Sequence, residues 1–203
     1  MKSIKHFSMF LFAGILSLTM ASCYYDEDKD PQKINPIYYK QISGNFTGSA
    51  KYYLTVGEET NVQEKEVTTV ITADSTIKVT GLPMEGIIKK LDNEDLKTAL
   101  LAQSNPVLTA RFLIYSVANG IDFMVYPENI EFKNVTVGES VHDYKLAFIY
   151  PSPSTGYANS SCTGFGFCVY PAVLYEGNEV IQQFVISASN VTLNDAVYIE
   201  CAR

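Results

Sequence analysis

The sequence predicts a mainly β fold of the α+β class, an antiparallel β-sandwich or barrel of about ten strands with a short helical pair inserted after the third strand. Short segments in which apolar and polar residues alternate with a period of two run through most of the chain. Turn residues separate these segments at close intervals, and only one stretch changes to a helical period. The pattern leaves the choice between sandwich and barrel open.

Residues 44–80 contain the first three predicted strands. Gly44–Val56 alternates apolar and polar side chains throughout, which indicates a half-buried strand. Val62–Ala73 is rich in threonine and β-branched residues, which favour strands, and Thr76–Thr80 follows after a short turn. The tight turns between these segments predict antiparallel neighbours.

The spacing of apolar residues changes from the period of a strand to that of a helix after the third strand. Asp92, followed three residues later by Asp95, predicts a variant capping box that begins a helix, and Pro106 follows the end of that helix. We therefore expect a helical pair that covers one end or one opening of the sheet. Its first helix is predicted from apolar residues at the i, i+3, i+4, i+7 spacing of one helix face: Met84, Ile87, Ile88 and Leu91.

Strands return after the helical pair. Asn119 and Gly120 are the strongest hairpin signal, because both residues tolerate the positive φ of a type I′ turn. Pro151–Thr163 is the longest polar loop and the best candidate for a recognition loop, since long loops on rigid sheets often carry function. The remaining predicted strands are Val107–Val117, Ile121–Tyr126, Ile130–Val137, Val141–Tyr150, Phe165–Tyr175, Val180–Val191 and Ala196–Ala202.

The N-terminus has the pattern of an export signal. Lys2 and Lys5 precede an apolar run that ends in the tetrapeptide Met-Ala-Ser-Cys at residues 20–23. A charged start, an apolar run too short to span a bilayer and a small-residue cleavage region indicate a signal peptide. We expect residues 1–22 to be removed, Cys23 to carry a lipid, residues 23–43 to form an acidic tether and residues 44–203 to form one globular domain. The alternative is ordinary cleavage, with Cys23 a plain cysteine.

The charge of the mature chain excludes one class of partner. Removing Lys2 and Lys5 from the 15 basic residues leaves 13 against 22 acidic residues, a net charge of −9. Such a charge repels phosphate backbones, so no nucleic acid partner is expected. The membrane is expected as a partner through the N-terminal lipid only, because no apolar run after Cys23 is long enough to span a bilayer.

Few residues of the sequence indicate a catalytic, metal-binding or redox role. The mature chain has one histidine, His142, so two-histidine metal sites are excluded, and no metal or cofactor is expected. Three cysteines remain after Cys23, and two of Cys162, Cys168 and Cys201 can form a disulfide in an oxidising compartment. The sequence does not determine which two of these cysteines form the disulfide. No catalytic residue is identified.

Tyrosine is plentiful, with 14 residues, and tryptophan is absent. A tyrosine ring offers apolar area with a polar tip, which suits both a half-wet sheet face and a binding surface. Tyr144, Tyr150 and Tyr157 are the candidate binding residues, and the ligand class, whether a small molecule, a glycan or a protein, stays open. The wider set of tyrosines that could line a binding face also includes Tyr52, Tyr53, Tyr170, Tyr175 and Tyr198.

Five segments of the sequence are distinctive when taken together: the lipobox-like Met20–Cys23, the acidic tether, Ile42–Gly48, Leu82–Met84 and Asn190–Leu193. With these segments, the whole chain resembles an uncharacterised family of lipoproteins from the cell envelope of Bacteroidota. The resemblance implies a β-rich envelope domain of unknown function, and an acidic run beside a lipidated cysteine resembles the surface-export signal of such lipoproteins. The resemblance supplies no catalytic residue.

These observations predict a non-enzymatic binding or accessory lipoprotein of the outer membrane, anchored on the cell surface or, alternatively, on the periplasmic face. Three alternatives stay open. A hydrolase would need two carboxylates about 5–10 Å apart. A structural or adhesin-like subunit would need an exposed edge strand or a detachable terminal strand. A lipocalin-like carrier would need an apolar interior cavity.

Overall fold

The structure is a computed structural model that describes residues 34–56, 59–89, 91–103, 106–149, 156–184 and 196–203. The predicted signal peptide, Cys23, most of the predicted tether and Tyr150 lie outside these residues. Eleven strands and three short helices occur in the described part. They are α1 (Ile37–Ile42), β1 (Gly44–Val56), β2 (Glu59–Thr72), β3 (Thr76–Thr80), α2 (Met84–Ile88), α3 (Glu94–Leu101), β4 (Leu108–Ser116), β5 (Gly120–Pro127), β6 (Ile130–Val137), β7 (Ser140–Ile149), β8 (Gly156–Asn159), β9 (Gly164–Glu176), β10 (Glu179–Gln183) and β11 (Val197–Ala202).

Eight of these strands close into an antiparallel barrel, in the order β1-β2-β3-β4-β5-β8-β9-β11. Closure depends on β11, which pairs with β1 on one side and with β9 on the other. The predicted mainly β fold, with a helical pair after the third strand, is therefore confirmed, and the architecture is a barrel rather than a sandwich. Because β11 is bonded along both edges, it does not resemble a detachable terminal strand.

A second, smaller sheet adjoins the barrel and shares strand β9 with it. The first half of this 13-residue strand belongs to the barrel, whereas its second half pairs with β7 and β10. β6 extends this sheet beyond β7. The register between β7 and β9 shifts between Ala147 and Phe148, opposite Pro171 and Val173, so Pro171 lies at a bulge, where a missing amide hydrogen is tolerated.

Aromatic side chains fill the barrel interior. Phe46 meets Phe165 edge-on with ring centroids 4.8 Å apart, and Phe112 meets Phe123 at 5.5 Å. Gly156 makes room for this packing, because a Cβ there would lie 2.1 Å from the ring of Phe123. An eight-stranded barrel is just wide enough for side chains to fill it. The described interior is occupied in this way, which counts against the lipocalin-like carrier.

Of the helical pair, α2 covers one end of the barrel and α3 packs on the second sheet. Gly86 of α2 lies against the ring of the buried Tyr52, and α3 contacts β6. Asn93 caps α3 by accepting a hydrogen bond from the Leu96 amide at 3.0 Å, so the predicted capping box begun by Asp92 is wrong by one residue. None of the described helices has the length and apolar composition that crossing a bilayer requires.

The opposite end is covered by α1, which begins seven residues before the predicted domain boundary. Ile42 is buried, and the Tyr39 hydroxyl accepts a hydrogen bond from the Ile114 amide at 3.2 Å. The guanidinium of Arg203 donates to the Ser43 carbonyl at 2.5 Å. Residues 37–43 were expected in the tether, but their apolar side chains pack on the barrel, so the folded part begins before Gly44.

The hairpin between β4 and β5 differs from the predicted type I′ turn. Among its residues only Gly120 has a positive φ, and its value of +159° is nearly extended, so Gly120 begins β5. The register shifts between Ile114 and Ser116, which leaves Tyr115 as an extra residue on β4. The longer loop and this bulge replace the tight turn.

Candidate ligand-binding groove

An open groove of about 820 Å³ runs over the outer face of the barrel wall, which is within the size range of small-molecule sites. Strands β1, β5, β8, β9 and β11 form it, and Tyr115 of β4 contributes to its lining. We call it the wall groove. One row of residues, each opposite the next on neighbouring strands, crosses it: Asp122, Tyr157, Gly166 and Glu200.

Glycines on β9 form much of the floor. The strand alternates glycine with phenylalanine, so Phe165 and Phe167 point into the barrel whereas Gly164 and Gly166 face outward. No side chain therefore rises from these two outward positions. A Cβ at Gly164 would lie 3.5 Å from the nearest heavy atoms, which is ordinary contact, so a larger residue would fit there and occupy the groove.

Two tyrosine rings lie along the sheet and cover glycines. A Cβ at Gly120 would lie 2.6 Å from a ring carbon of Tyr157, and a Cβ at Gly166 would lie 3.0 Å from the hydroxyl of Tyr198. Aromatic rings often shield glycine backbone on a neighbouring strand in this way. The Tyr157 hydroxyl donates to the Asn119 carbonyl at 3.2 Å, which holds its ring down while 47% of the residue stays exposed. The groove thus offers aromatic surface beside an open floor.

The β8–β9 turn is held by one side chain. The Oδ1 atom of Asn159 accepts hydrogen bonds from the amides of Thr163 at 2.9 Å and Gly164 at 3.3 Å. Its Nδ2 atom donates to the Thr163 hydroxyl at 3.0 Å. Because Asn159 also lines the groove, this network keeps the glycine floor in place without a ligand.

Tyr157, the candidate from the predicted recognition loop, lies on a strand instead. Residues 156–159 form β8, because Gly156 and Ala158 face inward while Tyr157 faces outward, and β8 pairs with both β5 and β9. The prediction of a continuous loop from Pro151 to Thr163 is therefore wrong for this segment. Its four residues are too few for the strand pattern to be recognised in the sequence.

Two carboxylates belong to the groove, and none of its described lining residues is basic. Asp122 and Glu200 stand three strand spacings apart, about 14 Å along the sheet. This spacing exceeds the distance of about 5–10 Å that a pair of catalytic carboxylates needs. The arrangement is better suited to contacting two parts of a ligand than to hydrolysing a glycosidic bond.

The three cysteines of the domain are free thiols in the structure. Cys168 faces the wall groove, and burial raises the pKa of its thiol to about 11. Cys201 points inward, where its sulfur lies 3.4 Å from the Thr69 hydroxyl, and burial raises its pKa as well. A bond between these two would join opposite faces of the barrel wall, so it would require rearranged strands. A disulfide that includes Cys162 stays a prediction.

Tyr144 does not reach the groove. It lies on β7 of the second sheet and is 5% exposed, and burial followed by the charge of Glu176 raises the pKa of its hydroxyl. Beside it, the Nδ1 atom of His142 lies 2.7 Å from a carboxylate oxygen of Glu176. No group of three or more His, Cys, Asp or Glu side chains in the described ranges is placed to hold a metal ion.

Two groove tyrosines were not among the three candidate binding residues, and one of these two, Tyr115, was not among the tyrosines that the sequence offers for a binding face. Tyr198 lies on β11, far from Tyr157 along the chain, and Tyr115 is the bulged residue of β4. The sequence did, however, contain a local signal for the glycine floor of the groove. Glycine at alternate positions of Gly164–Phe167, with phenylalanine between, indicates a strand whose outer face carries no side chains.

The comparison with known protein families identifies a family whose function is unknown. Residues 41–174 match the model of a protein family described as "Domain of unknown function (DUF4840)". The match ends before β10 and β11. No curated protein matches the chain, and no solved structure matches it.

Proposed function

Because the chain belongs to the DUF4840 family, whose function is unknown, we propose a function from its own geometry: a non-enzymatic binding lipoprotein of the bacterial cell envelope. The observation that carries this proposal is the wall groove, in which aromatic rings flank a glycine floor. Tyrosine surface with a few polar groups is typical of binding sites, since it provides apolar contact area and hydrogen bonds together.

The lipid anchor is the second part of the proposal. The lipobox-like residues 20–23 and the acidic run that follows support attachment at Cys23 to the outer membrane, with the barrel on the cell surface of a member of the Bacteroidota. The tether would carry the groove away from the membrane, because charged segments repel themselves and stay extended.

We expect Cys23→Ala to abolish lipid attachment. The variant should lose the mass of the acyl chains, accumulate as the unprocessed precursor and fail to incorporate labelled palmitate, whereas Cys168→Ala should behave as wild type. Protease treatment of intact cells then tests the exposed face, since a periplasmic barrel is protected. An unchanged mass and membrane fraction for Cys23→Ala would contradict the anchor.

Filling the groove tests the binding function. Gly164→Val should abolish ligand binding, because the new side chain stands on the groove floor. It should change the free energy of unfolding by less than about 1 kcal/mol, since a Cβ there makes only ordinary contacts, 3.5 Å from the Cys201 carbonyl oxygen and from Nδ2 of Asn159. The measurement is a thermal-shift screen of the purified mature lipoprotein in detergent against oligosaccharides, peptides and small metabolites, followed by titration calorimetry.

Thr68→Val is the matched control for this variant. It places the same side chain on the outer face of β2, in the same cross-strand row as Gly164 but outside the groove lining. Ligands found in the screen should bind Thr68→Val as they bind wild type. If Gly164→Val bound them equally well, the groove would not be the binding site.

A further inference from the structure

We propose that the wall groove binds an extended peptide segment that carries two separated basic side chains. This inference rests on the proposed binding function and names the class of its ligand. Three features of the groove favour this ligand: the sign of the charge in and around it, the aromatic surface beside it and the spacing of its carboxylates.

The groove has negative charge with no compensating base. Asp122 and Glu200 are its two charged lining residues, and Glu66 continues the same outward row two strands beyond Glu200. The nearest basic residue of this face in the register is Lys51, opposite Tyr198, and its ammonium lies 3.5 Å from the carboxylate of Glu64. The face therefore presents unneutralised carboxylates to an incoming ligand.

Within the domain, the two longest segments outside the described residues add no basic residue. Residues 150–155 and 185–195 contain no lysine and no arginine, residues 24–33 contain two lysines against four acidic residues, and the whole sequence has a formal net charge of −7. A negative protein attracts cations from a distance and repels anions, so the field outside the groove and the charge inside it act in the same direction. This complementarity favours a cationic ligand over an anionic one.

The tyrosines add a second contribution of the same kind. The rings of Tyr157 and Tyr198 lie beside outward-facing glycines and line the groove, so a ligand in the groove contacts them. The face of an aromatic ring attracts ammonium and guanidinium groups because its quadrupole is negative there. Guanidinium groups also stack flat on such rings, so arginine is the basic side chain that this surface fits best.

The spacing of the carboxylates suggests the form of the ligand. Asp122 and Glu200 are about 14 Å apart along the sheet, with Tyr157 and Gly166 between them. Residues i and i+4 of an extended peptide are separated by about 13–14 Å, because each residue adds about 3.3 Å. Two arginines four positions apart would therefore each meet one carboxylate, while the small residues between them lie on the glycine floor.

Two peptides of equal composition provide the test. We expect Gly-Arg-Gly-Ser-Gly-Arg-Gly to bind the purified mature lipoprotein at least about fivefold more tightly than Gly-Gly-Arg-Arg-Ser-Gly-Gly. Only the first presents both arginines on the same side of an extended backbone, whereas adjacent side chains point to opposite sides. Raising the NaCl concentration from about 20 mM to about 300 mM should weaken this binding through screening. Titration calorimetry measures both effects.

Charge-neutral variants identify the contacts. Asp122→Asn and Glu200→Gln should each weaken binding of the spaced peptide by about fivefold, because each removes one ion pair. Glu139→Gln makes the same change of charge in the exposed β6–β7 turn, outside the groove lining, and should bind as wild type does. Equal affinity for the two arginine peptides, or no effect of Asp122→Asn and Glu200→Gln, would overturn the proposal.

The remaining outcomes separate this proposal from the proposed function. If the arginine peptides did not bind but maltoheptaose or another neutral probe did, and Gly164→Val abolished that binding, the peptide ligand would be wrong and the binding groove would stand. If the spaced peptide bound wild type and Gly164→Val equally well, both proposals would be contradicted.

Discussion

Gly48→Ala is expected to lower the free energy of unfolding by about 3 kcal/mol, since the new methyl group has no room at the β1–β11 junction. A Cβ on Gly48 would lie 2.0 Å from the carbonyl oxygen of Glu200 and 2.6 Å from the Cα of Cys201. Both are backbone atoms of the strand that closes the barrel, so neither can rotate away as a side chain would. The two strands must separate locally, and the cross-strand hydrogen bonds there lengthen.

Chemical denaturation measures this effect, and thermal unfolding should follow with a midpoint lowered by roughly 6–12 °C. Gly164→Ala is the matched control. It makes the same substitution on β9, the other neighbour of β11, where a Cβ would have contacts of 3.5 Å, and it should change stability by less than about 1 kcal/mol. Similar stabilities for Gly48→Ala and Gly164→Ala would contradict the close approach of β1 and β11.

Some elements of this fold follow from local sequence patterns, whereas others depend on pairing between residues far apart in the chain. β1 and β3 have the bounds predicted from the sequence, Gly44–Val56 and Thr76–Thr80, because period-two alternation and sharp turns are properties of neighbouring residues. The barrel was not distinguished from a sandwich, since closure depends on the pairing of Thr47 with Ala202 and its neighbours. No local pattern carries information about a register between residues so far apart.

The same distinction explains why the sequence predicted only part of the groove. Tyr157 was a candidate from its own loop, but its neighbours on the wall are Gly120 and Tyr198, which come from other parts of the chain. Tyr144 has the same side chain and an equally good strand pattern, yet on β7 of the second sheet it is buried beside Glu176. A tyrosine on a strand is a core residue if another layer of the fold covers its side of the strand, and it is available for binding if that side is open. A sequence pattern of period two shows only that the strand has two different sides, not which of them is covered.

The helical pair illustrates how close a local prediction can come. Asp92 and Asn93 are both residue types that cap helices, and they are adjacent. Asn93 is the cap because its side chain reaches the amide of Leu96, which is placed by the burial of Leu96 and Leu100 where α3 packs on β6. Packing therefore selects the capping residue of the helix from two candidates that local propensity ranks equally.

Removal of β11 is expected to have the largest effect of all. A chain that ends at Phe184 should fail to form a soluble monomer, because β1 and β9 would each expose an unpaired edge and the barrel interior would open. The buried Val197, Ile199 and Cys201 would also be lost. Burying such side chains contributes about 1.5–3 kcal/mol each, so the loss approaches the whole stability of about 5–15 kcal/mol of an ordinary domain.

Soluble yield, size-exclusion chromatography and circular dichroism of the truncated chain measure this effect. The matched control ends at Ala202 and keeps β11 while it loses Arg203, whose guanidinium donates to the Ser43 carbonyl and lies 4.8 Å from the ring centroid of Phe46. That control should fold and lose about 1–2 kcal/mol. A cooperatively unfolding monomer that ends at Phe184 would contradict barrel closure by β11. The wall groove would then lose the strand that carries Tyr198 and Glu200, so both binding proposals depend on this closure.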